Sequence, residues 1–279
     1  MKKAIKTKPI MTCCFLFAIC LWVRLAEYFV IRTDETVMGE NLFHKLAGII
    51  LLFCVLKAAG MKWSEIGFGK HGLMKSILQG LLLSVICFAL SYGVEIIFLS
   101  TRGNAVHMEF YINGFSLTGT AVKNTEMFFF LICIVFNFIN VWMEEGLFRG
   151  FFIKVISGKY SFIQANLASA LFFGVWHFVM PVRSFVSGEM AFGQMLLLTV
   201  GYILLSGLMS IKWELLYKMT GTLWAGAADH FFNNTVATNM LHVVTASGAD
   251  EMQIVRILLA QIVSASFVAV IYRLSKRKL

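Results

Sequence analysis

Long uninterrupted apolar runs dominate this chain, and they constrain its fold more than any other feature. A helix needs about 20 predominantly apolar residues to cross a bilayer, and several runs here reach that length. The 279 residues are 59% hydrophobic and only 14% charged, too little charge to coat a soluble domain of this size. In hydrocarbon the backbone must satisfy its own hydrogen bonds, which leaves helices or closed barrels. The runs are continuous rather than alternating, so they are read as helices. The expected fold class is all-α: a polytopic membrane helix bundle of about eight transmembrane helices with both termini cytoplasmic. The expected spans are 11–31, 42–59, 73–100, 126–156, 161–180, 190–211, 219–240 and 253–274. With two prolines and no polar low-complexity stretch, residues 1–279 read as a single membrane domain.

The formal charge of +9 is carried by short segments between the apolar runs, a pattern that fits anionic lipid and membrane orientation, not nucleic acid. With the N-terminus inside, Lys and Arg favour that side by about three to one. This count places Lys212 and Lys218 in an inner loop and Arg256 outside. Lys45 and Lys57 crowd the second span and would snorkel from its ends. The six cysteines lie within apolar runs without a C-x-x-C pair, so they read as small buried hydrophobes. Lys2 and Lys3 before the first run resemble a signal peptide, but Arg24 and Glu27 interrupt the run, which reads as a retained helix. The longest connection, 101–125, contains His107, Glu109, Asn113 and Asn124 and reads as an outer-face loop.

Ionisable groups inside a bilayer are costly, which makes each a functional candidate. The fourth span carries Asn137, Asn140, Glu144, Glu145 and Arg149. On an α-helix neighbouring residues point about 100° apart, so Glu144 and Glu145 are expected to have different tasks. Glu145 and Arg149 are i,i+4 with the acid first, the favourable order for an ion pair. Glu144 shares a stripe with Asn137 and Asn140 and is expected to face a polar cavity unpaired, as suits a general base. The fifth span presents Asn166, Ala170, Phe173, Gly174 and His177 on one stripe, its small residues permitting close helix approach. In the seventh, His230 and Asn234 share a face at i,i+4, with Asp229 turned away. Measured along each helix from its inner end, Glu144 lies roughly 18 Å deep, His177 24 Å, His230 15 Å and Asn234 21 Å. The four share a layer only if the fourth helix continues through Gly146 and Gly150 to about Ile156.

Glu-Glu-x-x-x-Arg (144, 145, 149), Phe-x-x-x-His (173, 177) and His-x-x-x-Asn (230, 234) together resemble the signature of the CPBP family of intramembrane proteases. That family includes the type II CAAX prenyl endopeptidases and bacterial relatives linked to bacteriocin maturation or self-immunity. Residues 126–240 form the core that carries these motifs, and Lys62–Phe68 looks like a loop common before the family's third span. The resemblance implies hydrolysis of a peptide bond within the membrane. Glu144 would activate water, assisted by His177, with His230 and Asn234 stabilising the oxyanion. Glu145, Arg149 and Phe173 would support the architecture. The family has been described both as metalloproteases and as glutamate-dependent enzymes. The cofactor therefore stays open: a divalent metal such as zinc would take Glu144, His177 and His230 as ligands.

The expected partners are a peptide or membrane-protein substrate and membrane lipid, with no nucleic acid, in what reads as a bacterial cell membrane. Two other readings use the same cavity. A non-catalytic scaffold or bacteriocin-immunity factor would bind a partner there, and a proton-coupled carrier would need water paths to both faces.

Overall fold

A computed structural model describes residues 2–35, 40–113 and 123–276. A short helix α1 (Lys2–Thr7) leads into α2 (Pro9–Ala26), where Pro9 occupies the first turn and lacks only an N–H the helix would not have used. A π-helical turn, Glu27–Ile31, prolongs α2. Next come α3 (Phe43–Ala59) and α4 (Leu73–Thr101). Three short strands follow: β1 (His107–Phe110), β2 (Ile112–Asn113) and β3 (Lys123–Asn124). The helix of the fourth expected span runs unbroken as α5 (Met127–Glu144), a π-helical stretch Glu145–Phe152, and α6 (Ile153–Ile156). The remainder comprises α7 (Phe162–Trp176), α8 (Val179–Val186), α9 (Phe192–Thr220), α10 (Trp224–Phe232) with a π-helical extension Asn233–Thr238, β4 (Leu241–Val244) and α11 (Gln253–Lys276).

The fold is an all-α polytopic bundle. Among the described residues, six helical segments are long and apolar enough to cross a membrane: 9–35, 73–101, 127–156, 162–186, 192–220 and 253–276. The expected count of eight is therefore not confirmed. Of the other two expected spans, α3 has 17 residues, and the helix from Trp224 ends by Thr238. Solvation follows the inverse of a soluble protein. Phe15, Trp22, Ile97, Met127, Leu197 and Leu204 are exposed, while Glu27, Glu144, Glu145, Arg149, Lys212 and Glu214 are buried. An apolar exterior this extensive is stable against lipid tails, not water.

The site region is clasped by α4, α7, α9 and α10. Helix α7 packs along α9, and α4 packs along α10. The α7–α9 contact explains Gly174, where a Cβ would lie 2.7 Å from the carbonyl oxygen of Ile203. Small residues bring helix backbones together where no hydrophobic drive separates protein from lipid.

Three sequence expectations need correction. The 101–125 connection is not a plain loop: β1 pairs antiparallel with β4, and β2 with β3, although 114–122 lies outside the described residues. Lys212 is not in an inner loop, because α9 continues to Thr220 and buries it beside Asp229. Arg256 is not a free outer charge either, being buried between Glu95 and Asp250, both 2.8 Å away. The differences at Lys212 and Arg256 share one cause: a charge reads as the end of a span, whereas a buried partner on another element retains it inside. Lys45 likewise pairs with Glu40 at 2.8 Å instead of snorkelling. Cys13, Cys20, Cys87 and Cys133 are buried as expected, whereas Cys14 and Cys54 are exposed on the apolar exterior.

Candidate active site

The fourth helix sets the geometry. Its π-helical stretch begins at Glu145, directly after Glu144. Gly146 and Gly150 do not break the helix because their missing side chains make room for neighbours. A Cβ on Gly150 would lie 2.8 Å from the Ile66 carbonyl, and one on Gly146 would lie 2.9 Å from Leu52. The Lys62–Phe68 segment is thus packed directly against the site helix. Phe68 also stacks on Trp142, with centroids 4.6 Å apart and planes 7° off parallel.

Glu144 is buried, but it is not the unpaired carboxylate that its stripe implies. The Trp176 indole Nε1–H donates to its Oε1 at 2.9 Å, and His230 Nε2 lies 3.6 Å from its Oε2. Glu145 is not turned away from this centre. Its Oε1 accepts from His230 Nδ1 at 2.9 Å, while the Arg149 guanidinium stands off at 3.7 Å. The two glutamates therefore address the two nitrogens of one imidazole. Both glutamates keep right-handed helical dihedrals and so point apart, and an imidazole arriving from α10 meets one carboxylate at each nitrogen.

The Arg149 ion pair survives in looser form. Its guanidinium has no hydrogen-bond partner among the described residues and lies over the rings of Phe173 (3.6 Å) and Trp213 (4.7 Å). Cation–π attraction is strongest where water is excluded, as here. The same Phe173 ring packs edge-on against His177 and His230.

His230 is held on three sides. Besides Glu145, the Trp213 ring stacks on it at 4.1 Å and 16°. Trp213 in turn donates from Nε1 to Asp229 Oδ2 at 2.6 Å. Asp229 also accepts from Ser84 at 2.6 Å and pairs with Lys212 at 2.5 Å. Asp229 is turned away from His230, as expected, yet orients it through Trp213. His177 caps the C-terminal end of α7, and its Nδ1–H donates to the Phe173 carbonyl at 2.8 Å. That fixes the tautomer of the neutral ring and leaves Nε2 as its free nitrogen. Glu144 lies in the electrostatic field of His230, His177, Arg24 and Arg149. Asn234 sits in the π-helical extension of α10, where its Oδ1 accepts from Asn233 at 2.9 Å. Its Nδ2 amide makes no hydrogen bond among the described residues, and none joins Asn234 to the other three.

The structure thus brings Glu144, Glu145 and His230 together, places His177 in their field, and shows no hydrogen bond from Asn234 to them. Trp176, Trp213, Asp229, Lys212 and Glu214 belong to the same buried assembly and are not among the sequence candidates. Only Trp176 has a usable signal, as the neighbour of His177 within a candidate motif.

Glu144, His177 and His230 are the donor set a metal would need. Among the described residues no group of three or more His, Cys, Asp or Glu side chains is placed to hold a metal ion. No step is routed through a metal below.

A polytopic helical membrane protein with acidic and imidazole groups buried in its centre defines the class. Residues 126–236 match the family described as "Type II CAAX prenyl endopeptidase Rce1-like", so this segment of the chain is similar to that family. The match spans α5 through most of α10 and its extension, and includes all seven motif residues. No curated protein matches the chain.

Proposed function

We propose that the chain is an intramembrane endopeptidase that hydrolyses a peptide bond in a membrane-associated or lipidated substrate. The observation that carries this reading is Glu144, buried within the Rce1-like segment, bonded to Trp176 and 3.6 Å from His230. Glu144 accepts a proton from water as the water oxygen adds to the scissile carbonyl carbon. His177, with Nδ1–H engaged by Phe173, offers Nε2 to the same water. A positioned base of this kind contributes about 10²–10⁴-fold. The carbonyl oxygen becomes an oxyanion, towards which the free Asn234 Nδ2 amide and the Nε2–H of protonated His230 donate. Such donors act most strongly in a water-excluded site, where they need no reorganisation. On collapse, the proton passes from Glu144 to the departing amine nitrogen, and the C–N bond breaks. Glu145, Arg149 and Phe173 hold His230 and the π-helical turn in place.

Sequencing of peptide termini in membranes from cells carrying wild type or Glu144→Gln tests this reading. The expected result is a set of cleavages present only with wild type, at equal protein levels. An unchanged set of termini would refute it. The scaffold or immunity reading predicts the opposite, that Glu144, His177 and His230 can all be replaced without phenotype.

A further inference from the structure

Arg24 of α2 is 4% exposed and forms no salt bridge among the described residues. Its Nε and Nη1 have no hydrogen-bond partner there, and Nη2 reaches only the Tyr28 hydroxyl at 3.5 Å. Glu27, one turn on, is the nearest acid in sequence, but its carboxylate is already filled. Oε1 accepts from Thr33 and from the Phe43 amide (2.7 Å), and Oε2 accepts from the His44 amide (2.6 Å) and His44 Nδ1 (2.5 Å). No acidic side chain occurs among the residues outside the described ones.

The guanidinium does not point away from the chemistry. Its carbon lies 4.4 Å from the centre of the Trp176 ring, whose Nε1–H donates to Glu144. Its charge acts on both Glu144 and His177. A buried cation held only by ring faces and one long contact keeps its donors for an anion of planar, two-oxygen shape, which a guanidinium matches bidentately. We propose that Arg24 is a carboxylate-binding subsite beside the Glu144 centre, engaging an acidic group of the peptide substrate. That group is either the chain's terminal α-carboxylate or an Asp or Glu side chain at fixed spacing from the cleaved bond. The subsite is built by α2, outside the Rce1-like segment, so the first helices take part in selecting substrate. The inference rests on the endopeptidase reading above.

The test begins with the Glu144-dependent cleavage sites. They are expected to share a carboxylate at one spacing from the cut. A synthetic peptide of such a site is then compared, using purified wild type, with two neutral versions: the C-terminal amide, and Asp→Asn or Glu→Gln at the shared position. The version that neutralises the bound group is expected to raise KM about 10–100-fold with little change in kcat, which also tells the two sources apart. Arg24→Gln is expected to cleave acid and neutral peptides alike, and Arg24→Lys to restore part of the preference. Because the peptide comparison uses wild-type protein, it decides the matter even if an Arg24 variant fails to fold. Equal cleavage of the acid and both neutral peptides overturns the subsite and leaves the endopeptidase reading standing. Absence of any Glu144-dependent cleavage overturns both.

Discussion

Two of the buried histidine–carboxylate pairs in this protein, those of His242 and His230, differ in what their second nitrogen does. His242 of β4 bonds Asp250 through Nδ1 at 2.5 Å, and its Nε2 faces the carbonyls of Tyr111 (3.0 Å) and Asn239 (3.3 Å). Asp250 is also bridged to Arg256, and Arg256 to Glu95. This outer cluster, which ties the β1–β4 sheet to α4 and α11, leaves no imidazole nitrogen open. His230 bonds Glu145 through Nδ1, but its Nε2 stands 3.6 Å from Glu144, beyond hydrogen-bond distance. A saturated imidazole holds structure together, whereas one with an open nitrogen beside a second carboxylate is poised to act on something else. Burial and charge alone do not separate the two.

The comparison breaks most sharply if the histidines are exchanged in role. His230→Gln is expected to lower turnover by about 10²–10⁴-fold while the protein remains folded. His242→Gln is expected to leave turnover within about twofold and to lower thermal stability in detergent or nanodiscs, because it opens a buried network. Equal losses of turnover would erase the distinction. Arg149→Ala removes the cation beside Glu145 and vacates the face of Phe173. It is expected to cost about 3–5 kcal/mol, the range for breaking a buried pair, with activity lost alongside the fold. Thermal unfolding, together with chromatographic recovery, reads this out.

A smaller effect sharpens the inner side. Trp176→Phe keeps a ring under Arg24 and deletes only the indole donor to Glu144. A hydrogen bond to a charged acceptor contributes about 1.5–3 kcal/mol, so turnover is expected to fall about 10–100-fold. The smallest effect belongs to the outer cluster and depends on pH. Burial pushes the Asp250 carboxyl up, but its bonds to His242 and Arg256 outweigh that and hold it below the usual carboxylate range. A carboxyl depressed in the folded state adds stability that is full above its unfolded pKa and is lost as pH falls through the folded one. The stability gap between wild type and Asp250→Asn is therefore expected to be widest near neutral pH and to close in acid, below about pH 4.

Much of the inner site is legible in the sequence. Continuous apolar runs imply the membrane bundle, and three short motifs single out Glu144, His177 and His230. The condition that the fourth helix pass unbroken through Gly146 and Gly150 also holds. The pairing within the site is not legible. Helical spacing assigns Glu145 to Arg149 alone, because spacing along one helix carries no information about His230 arriving from α10. The outer cluster is invisible for a different reason. His242, Asp250, Arg256 and Glu95 meet only after β4 returns to β1 across more than a hundred residues, a contact with no local periodicity. Arg24 reads merely as a charge interrupting the first run, and only packing shows that its Nε and Nη1 have no partner among the described residues.

The central claim is that Glu144 is the base that activates water. Its most direct test is the rate at which purified wild type and Glu144→Gln, both reconstituted in nanodiscs, cleave one substrate identified by terminal sequencing. Thermal unfolding would verify the fold of each. The account predicts cleavage reduced by about 10²–10⁴-fold or more in the variant at unchanged stability. Cleavage by folded Glu144→Gln at the wild-type rate would contradict it.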